Sequence, residues 1–191
     1  MVRAVVLLKH EPILPLAGWF AYRLAEVFRR DAALGQGDLL VPVPLHPDRQ
    51  RERGYNQAEL IARPLAKLLE LRFRPHLLER TRPRPDRLRL SFRQRWSTVR
   101  GAFVARPGSK VDNLSVLLVD DVMTTGATLD ACARALRKAG AARVDALTVA
   151  RAQHIGPITP VRVSGEQGAG RERSATATEN CVGPADGASE S

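Results

Sequence analysis

Residues 117–129 read LLVDDVMTTGATL. An apolar run ends in two adjacent carboxylates, Asp120 and Asp121, and passes directly into a turn of Thr and Gly. Burying an unpaired carboxylate costs several kcal/mol, so two in succession require solvent, donors or a ligand. Beyond the turn, Leu129, Cys132, Ala133, Leu136 and Ala139 recur at helical spacing, which predicts a helix over 128–139 with Gly140 as its stop. Val116–Val119 and Val144–Ala150 read as buried strands on either side of it. Strand, helix, strand in that order predicts a parallel α/β sheet with right-handed crossovers.

In an open parallel sheet, ligands bind at the carboxyl ends of the strands, where Asp120 and Asp121 fall. The turn Thr124, Thr125, Gly126, Ala127, Thr128 offers three hydroxyl donors and the unpaired N–H groups of a helix start. Gly126 permits positive φ or close approach of a ligand, and the helix start adds partial positive charge. These features describe a phosphate site. The acids repel phosphate and therefore serve another part of the same ligand, for which sugar hydroxyls are suited. The alternative is an acid pair that caps neighbouring loops or binds a cation, which leaves the turn unexplained.

Working outward, residues 2–8 read as a short buried strand and Leu16–Arg30 as an amphipathic helix. Leu39–Leu45 (LLVPVPL) reads as a strand, shortened because Pro42 and Pro44 cannot donate to a ladder. Residues 46–57 (HPDRQRERGYNQ) read as a charged loop. A helix follows from Asn56 to about Leu69, with Asn56 as cap and Glu59 completing a capping box, and Pro64 should kink it. Leu77–Leu78 and Ala102–Val104 are predicted as short strands around an Arg-rich stretch. Trp19, Phe20 and Phe28 fall on a helical core stripe, and Trp96 is the one aromatic kept as a stacking candidate.

Of the 191 residues, positions 156–191 contain no aromatic residue and no sustained apolar period, and read as a disordered tail with one extended piece near Val161–Val163. The chain carries a net charge of +10. Eleven Arg against two acids fall between Arg72 and Arg106, a balance that attracts polyanions. The two Cys, 132 and 181, suggest neither a disulfide framework nor a metal site. The apolar run before Lys9 is too short for a secretory signal or a membrane span, so a cytoplasmic location and no membrane partner are expected.

The stretch VLLVDDVMTTGATL (116–129) resembles the 5-phosphoribosyl-1-diphosphate (PRPP) binding signature of type I phosphoribosyltransferases. VPVPLHPDRQRERGYNQAEL (41–60) with LSFRQRWSTVRGAF (90–103) is similar to the ComF family within that fold. The resemblance implies a phosphoribosyltransferase-like domain over 1–155: a parallel sheet flanked by helices, a small hood from the N-terminal region, and the tail beyond. It further implies that Asp120 and Asp121 hold the ribose hydroxyls and that residues 124–128 cradle the 5′-phosphate. Arg51, Arg53, Gly54 and Asn56 would handle the diphosphate, and the stretch Arg80–Arg100 would close over the site. Mg²⁺ would arrive mainly with the ligand, without a metal site of protein residues alone. Expected partners are PRPP or another ribose phosphate, a nucleobase acceptor, and a second copy of the chain. Because the family name refers to competence for transformation, a non-enzymatic role in DNA uptake with binding of single-stranded DNA is the competing expectation. Two departures stand out: R-P-D-R (84–87) replaces a T-P-P-Q-like element, and the chain has no Cys-x-x-Cys of the zinc ribbon that often opens such proteins.

Overall fold

The computed structural model describes residues 4, 7–8, 10–34, 36–83, 92–151 and 160–162. Its elements are α1 (Leu14–Arg30), a 3-10 turn (Ala32–Leu34), β1 (Leu39–Pro42), α2 (Pro47–Arg53), α3 (Gln57–Leu68), β2 (Arg72–Phe73) and β3 (Leu78–Arg80). After these come α4 (Phe92–Val99), β4 (Phe103–Ala105), β5 (Ser115–Met123), α5 (Ala127–Lys138), β6 (Arg143–Arg151) and β7 (Pro160–Arg162). One sheet has the order β2-β1-β5-β6-β7, and β3 and β4 form a separate two-stranded sheet. The first four strands of the large sheet are parallel, and β7 joins β6 antiparallel.

Both faces of the sheet are covered, and the period of two along each strand divides its side chains between two cores. On β5, Val116 and Leu118 pack with Leu129, Cys132 and Leu136 of α5, whereas Leu117 and Val119 pack with Phe20 and Leu24 of α1 and with Ile61 and Leu65 of α3. The chain leaves β1 through α3 on one face towards β2. It leaves β5 through α5 on the other face towards β6. The winding therefore reverses between β1 and β5, and the crevice at their carboxyl ends is the topological switch point where open α/β sheets bind ligands.

The helices over 14–30, 57–68 and 127–138 and the strands β1, β3, β4, β5 and β6 lie where the sequence predicts them, within a few residues. Trp19 is exposed on α1 and not on its core stripe, and four further local expectations need correction. Of residues 2–8, expected as a strand, the described Ala4, Leu7 and Leu8 are helical, and Leu8 is buried against the α1–α3 core. A run of five apolar residues does not discriminate strand from buried helix by periodicity. The charged loop 46–57 contains a helix, α2. Pro47 stands in its first turn, the His46 side chain accepts from the Asp48 N–H, and Gly54 closes it in the left-handed conformation. Because α2 buries no residue, it leaves no apolar period to detect. Asn56 does cap α3, but its Oδ1 accepts from Ala58 N at 3.1 Å, and Glu59 binds Arg63 at 2.7 Å instead of returning to the cap. The helix continues through Pro64.

The fourth correction concerns the Arg-rich stretch, which is helical over Phe92–Val99. Trp96 is partly buried against the α5-side core. Residues 84–91, with the R-P-D-R departure, lie outside the described residues, as do 156–159 and 163–191 of the expected tail. The extended piece expected near 161–163 is β7, an edge strand with Ala146 opposite Val161. Among the described residues, no helix is long and apolar enough to cross a membrane.

Candidate functional site

The site is built at the carboxyl ends of β1 and β5. Strand β5 runs to Met123, so Asp120 and Asp121 lie inside its last turn of pairing, with Asp120 opposite Thr148 of β6. Both acids are half-buried. Each carboxylate accepts from the next backbone N–H: Asp121 N donates to Asp120 Oδ1 at 2.9 Å, and Val122 N to Asp121 Oδ1 at 2.7 Å. A carboxylate has about four acceptor positions, of which each local bond occupies one.

Three residues later Gly126 adopts φ 77° and ψ −7° as the N-cap of α5. This left-handed geometry explains the glycine, since a Cβ there would meet only Met123 Sδ at 3.8 Å, an ordinary contact. No side chain of the N-cap closes this helix start; Thr125 Oγ1 accepts from Ala127 N at a long 3.4 Å. Thr124, Thr125 and Thr128 stand around an N-terminus that carries partial positive charge. The predicted turn and the predicted acids are thus contiguous in space as well as in sequence.

The segment after β1 reaches the same corner by a tertiary route. Val43 N donates to Val119 O at 2.9 Å, which places Val43 beside the residue preceding Asp120. Asn56, buried, donates from Nδ2 to Val43 O at 3.0 Å. Those two bonds pin both ends of the 43–56 segment next to the acids. Gly54, with φ 76°, ends α2 just ahead of Asn56. Arg53 is half-buried, and Arg51 is exposed and ion-paired with Asp48 on the same face of α2. Tyr55, not anticipated from the sequence, donates its hydroxyl to Leu8 O at 3.0 Å and so ties the N-terminal segment to this corner.

The electrostatics converge on Cys132, one helical turn into α5. Burial pushes its thiol well above the ordinary value, the Asp120 carboxylate pushes it further, and the Arg80 guanidinium pulls it back. Arg80 acts on that thiol from β3, where its guanidinium stands over the Phe103 ring. No sequence signal separates it from the ten other Arg of its stretch.

Two observations delimit the chemistry. Among the described residues no group of three or more His, Cys, Asp or Glu could hold a metal ion. A cavity of about 520 Å³ lies elsewhere, where the carboxyl ends of α1 and α3 meet, lined by Phe28, Asp31, Gln36, Leu69 and Glu70 among others. Its lining includes Arg29, which donates to Leu68 O, but it lies at helix carboxyl ends, whose partial negative charge disfavours a phosphate, so the acid-and-turn corner remains the candidate.

Residues 58–161 match the phosphoribosyl transferase domain family. The chain is 34% identical over 125 residues to Competence protein F of Haemophilus influenzae, covering 65% of this chain and 55% of that protein. It is 35% identical over 123 residues to the DNA utilization protein YhgH of Escherichia coli O6:H1, covering 64% and 53%. The chain thus spans about half the length of these curated relatives. Among solved structures, the glutamine phosphoribosylpyrophosphate amidotransferase of B. subtilis is similar with a TM-score of 0.47 at 20% identity, covering 70% of this chain and 26% of that one.

Proposed function

The chain belongs to the phosphoribosyl transferase domain family, within its ComF group, and from that membership we propose that it binds PRPP with Mg²⁺ and transfers the phosphoribosyl group to a nitrogenous acceptor. The observation that carries this reading is the contiguity of the acid pair with an uncapped, left-handed helix start at the switch point of the sheet.

In this reading the 5′-phosphate sits on the turn 124–128 and takes backbone N–H and Thr hydroxyl donors. Asp120 and Asp121 accept from the 2′ and 3′ hydroxyls. Gly54 and Asn56 present the end of the 43–56 segment to the diphosphate, and Arg53 and Arg51 supply guanidinium donors. Arg51 must leave Asp48 to do so; an exposed pair three residues apart on a helix contributes only about 0.2–0.5 kcal/mol, so a diphosphate displaces it readily. Two half-buried carboxylates would suit a hard cation that shares its coordination with the diphosphate. When bound, Mg²⁺ supplies neutralisation of diphosphate charge. As the C1′–O bond breaks, its electron pair leaves with the diphosphate and the acceptor nitrogen bonds to C1′. The Arg donors stabilise the charge that develops on the leaving group. The stretch 80–100 excludes water from the electron-poor sugar.

The test is calorimetric titration of PRPP with Mg²⁺ into the wild-type chain and into the Asp120→Asn/Asp121→Asn variant. Binding should require Mg²⁺ and be lost in the variant. Undiminished affinity in the variant refutes the site.

A second reading, binding of single-stranded DNA, is favoured by the +10 charge and by the name of the Escherichia coli relative. It predicts affinity that falls steeply with salt and survives the same double substitution.

A further inference from the structure

Among the described residues six large apolar side chains are exposed, and four of them, Leu7, Leu14, Trp19 and Tyr22, fall in the N-terminal segment and α1. Three share one face of α1. Leu14, Gly18 and Tyr22 follow one another at intervals of four, and Pro15 and Trp19 form the adjacent row. The buried stripe of Ala17, Phe20, Ala21 and Leu24 packs on α3 and the sheet. The Trp19 ring stands edge-on to Phe20, with centroids 5.3 Å apart and planes at 63°, so a core residue holds it in place. A Cβ added to Gly18 would meet nothing within 4 Å. Pro15, Gly18, Trp19 and Tyr22 thus surround an open hollow at i, i+3, i+4 and i+7, the arrangement that receives a side chain of a facing helix.

The charges around this face discriminate between partners. Glu26 ion-pairs with both Arg23 and Arg30, and Arg29 donates to Leu68 O. Cations engaged in this way offer little to a polyanion or an anionic lipid surface, each of which draws on several unpaired cations. The two ends of the face instead carry opposite signs. Glu11 is exposed ahead of α1, and Arg29 and Arg30 are exposed in its last turn. A surface with an apolar centre, an acid at one end and bases at the other is complementary to itself when turned end over end.

We propose that this face of α1 is a dimer interface between two copies of the chain, paired antiparallel about a two-fold axis. Tyr22 of each copy enters the hollow over Gly18 of the other. Glu11 precedes Trp19 by eight residues and Arg30 follows Tyr22 by eight, so the acid of one copy meets the last helical turn of the other. The Arg30 side chain is 79% exposed, and its pair with Glu26, at 3.8 Å, is long enough to yield to the second copy's Glu11. Each contact occurs twice, as an isologous interface requires.

The experiment is sedimentation equilibrium of the full chain from about 1 to 300 µM, the range in which an interface of the small class associates. Circular dichroism checks the folding of each variant. Wild type should dimerise within that range. Gly18→Leu should weaken the dimer roughly tenfold or more by filling the hollow, although it adds apolar surface and a better helix former. Should that variant not fold, Tyr22→Ala, which removes the inserted side chain, provides the same readout. Glu11→Arg and Arg30→Glu should each weaken the dimer about three- to tenfold, and both changes in one chain should restore it. A wild-type chain that stays monomeric throughout overturns the proposal. Gly18→Leu that associates as tightly as wild type overturns it too, because it marks non-specific apolar adhesion, and so does a double charge reversal without recovery. A monomer whose tryptophan emission shifts to the blue on phosphatidylserine–phosphatidylcholine vesicles assigns the face to a lipid surface instead.

Discussion

Gly126→Ala separates the phosphate-binding role of the turn from its role in stability. Gly126 holds φ 77°, and an added Cβ meets only Met123 Sδ at 3.8 Å, so the cost arises from the backbone and not from packing. Placing a non-glycine residue in the left-handed region costs about 1–2 kcal/mol. Gly108 is the internal control: it has the same φ of 77° and open space around a Cβ, but lies on the β4–β5 connection. Urea unfolding should therefore show both variants destabilised by about 1–2 kcal/mol. Ribose 5-phosphate binding should distinguish them. Relief of the strained φ in Gly126→Ala rotates the N–H groups of the α5 start out of alignment, and one lost charge-assisted bond is worth about 1.5–3 kcal/mol. Calorimetry should then record a roughly 10- to 150-fold loss of affinity for Gly126→Ala and none for Gly108→Ala. Equal affinity in the two variants, measured where both are folded, would refute the assignment of the phosphate to this turn.

Gly140→Ala should be the most damaging of the glycine substitutions, because its Cβ would lie 2.2 Å from Asp112 Oδ1 and 3.2 Å from the Asp112 Cα at φ 103°. Chemical denaturation should show a loss above about 3 kcal/mol, combining overpacking with backbone strain, and a loss no larger than that of Gly108→Ala would contradict the contact. Asp145→Ala removes the buried carboxylate that accepts from Arg143 Nε at 2.6 Å and Nη2 at 3.3 Å. Since Arg143 keeps partial access to water and a bond to Ala33 O, the expected cost is about 1–3 kcal/mol, below the roughly 3–5 kcal/mol for breaking a fully buried pair. The Cys132 thiol is held above its ordinary value of 9.0, so its contribution to stability is complete below that pH and is lost as pH rises beyond it. Melting temperature should accordingly fall more steeply above pH 9 in wild type than in Cys132→Ala, and parallel curves would contradict the shift.

The unit from β5 through α5 to β6 was readable in the sequence because everything that specifies it is local. The apolar run of β5, the stripe Leu129–Cys132–Leu136, the left-handed Gly126 and the stop at Gly140 each act over a few residues, and the acid pair and turn are neighbours along the chain. Local signals failed where charge or brevity hid the period. The helix α2 buries nothing, so its Arg and Glu residues read as a loop, and the five apolar residues before Lys9 fit strand and helix equally well. The tertiary structure alone decided which distant segments meet the acids. Asn56 reaches them through Val43 and Val119. Sequence periodicity reports the face a residue turns to its own element, whereas the partner across that face is set by how the elements pack. One Arg among eleven becomes distinct only when the fold stacks its guanidinium on Phe103, 5.2 Å from the ring centroid.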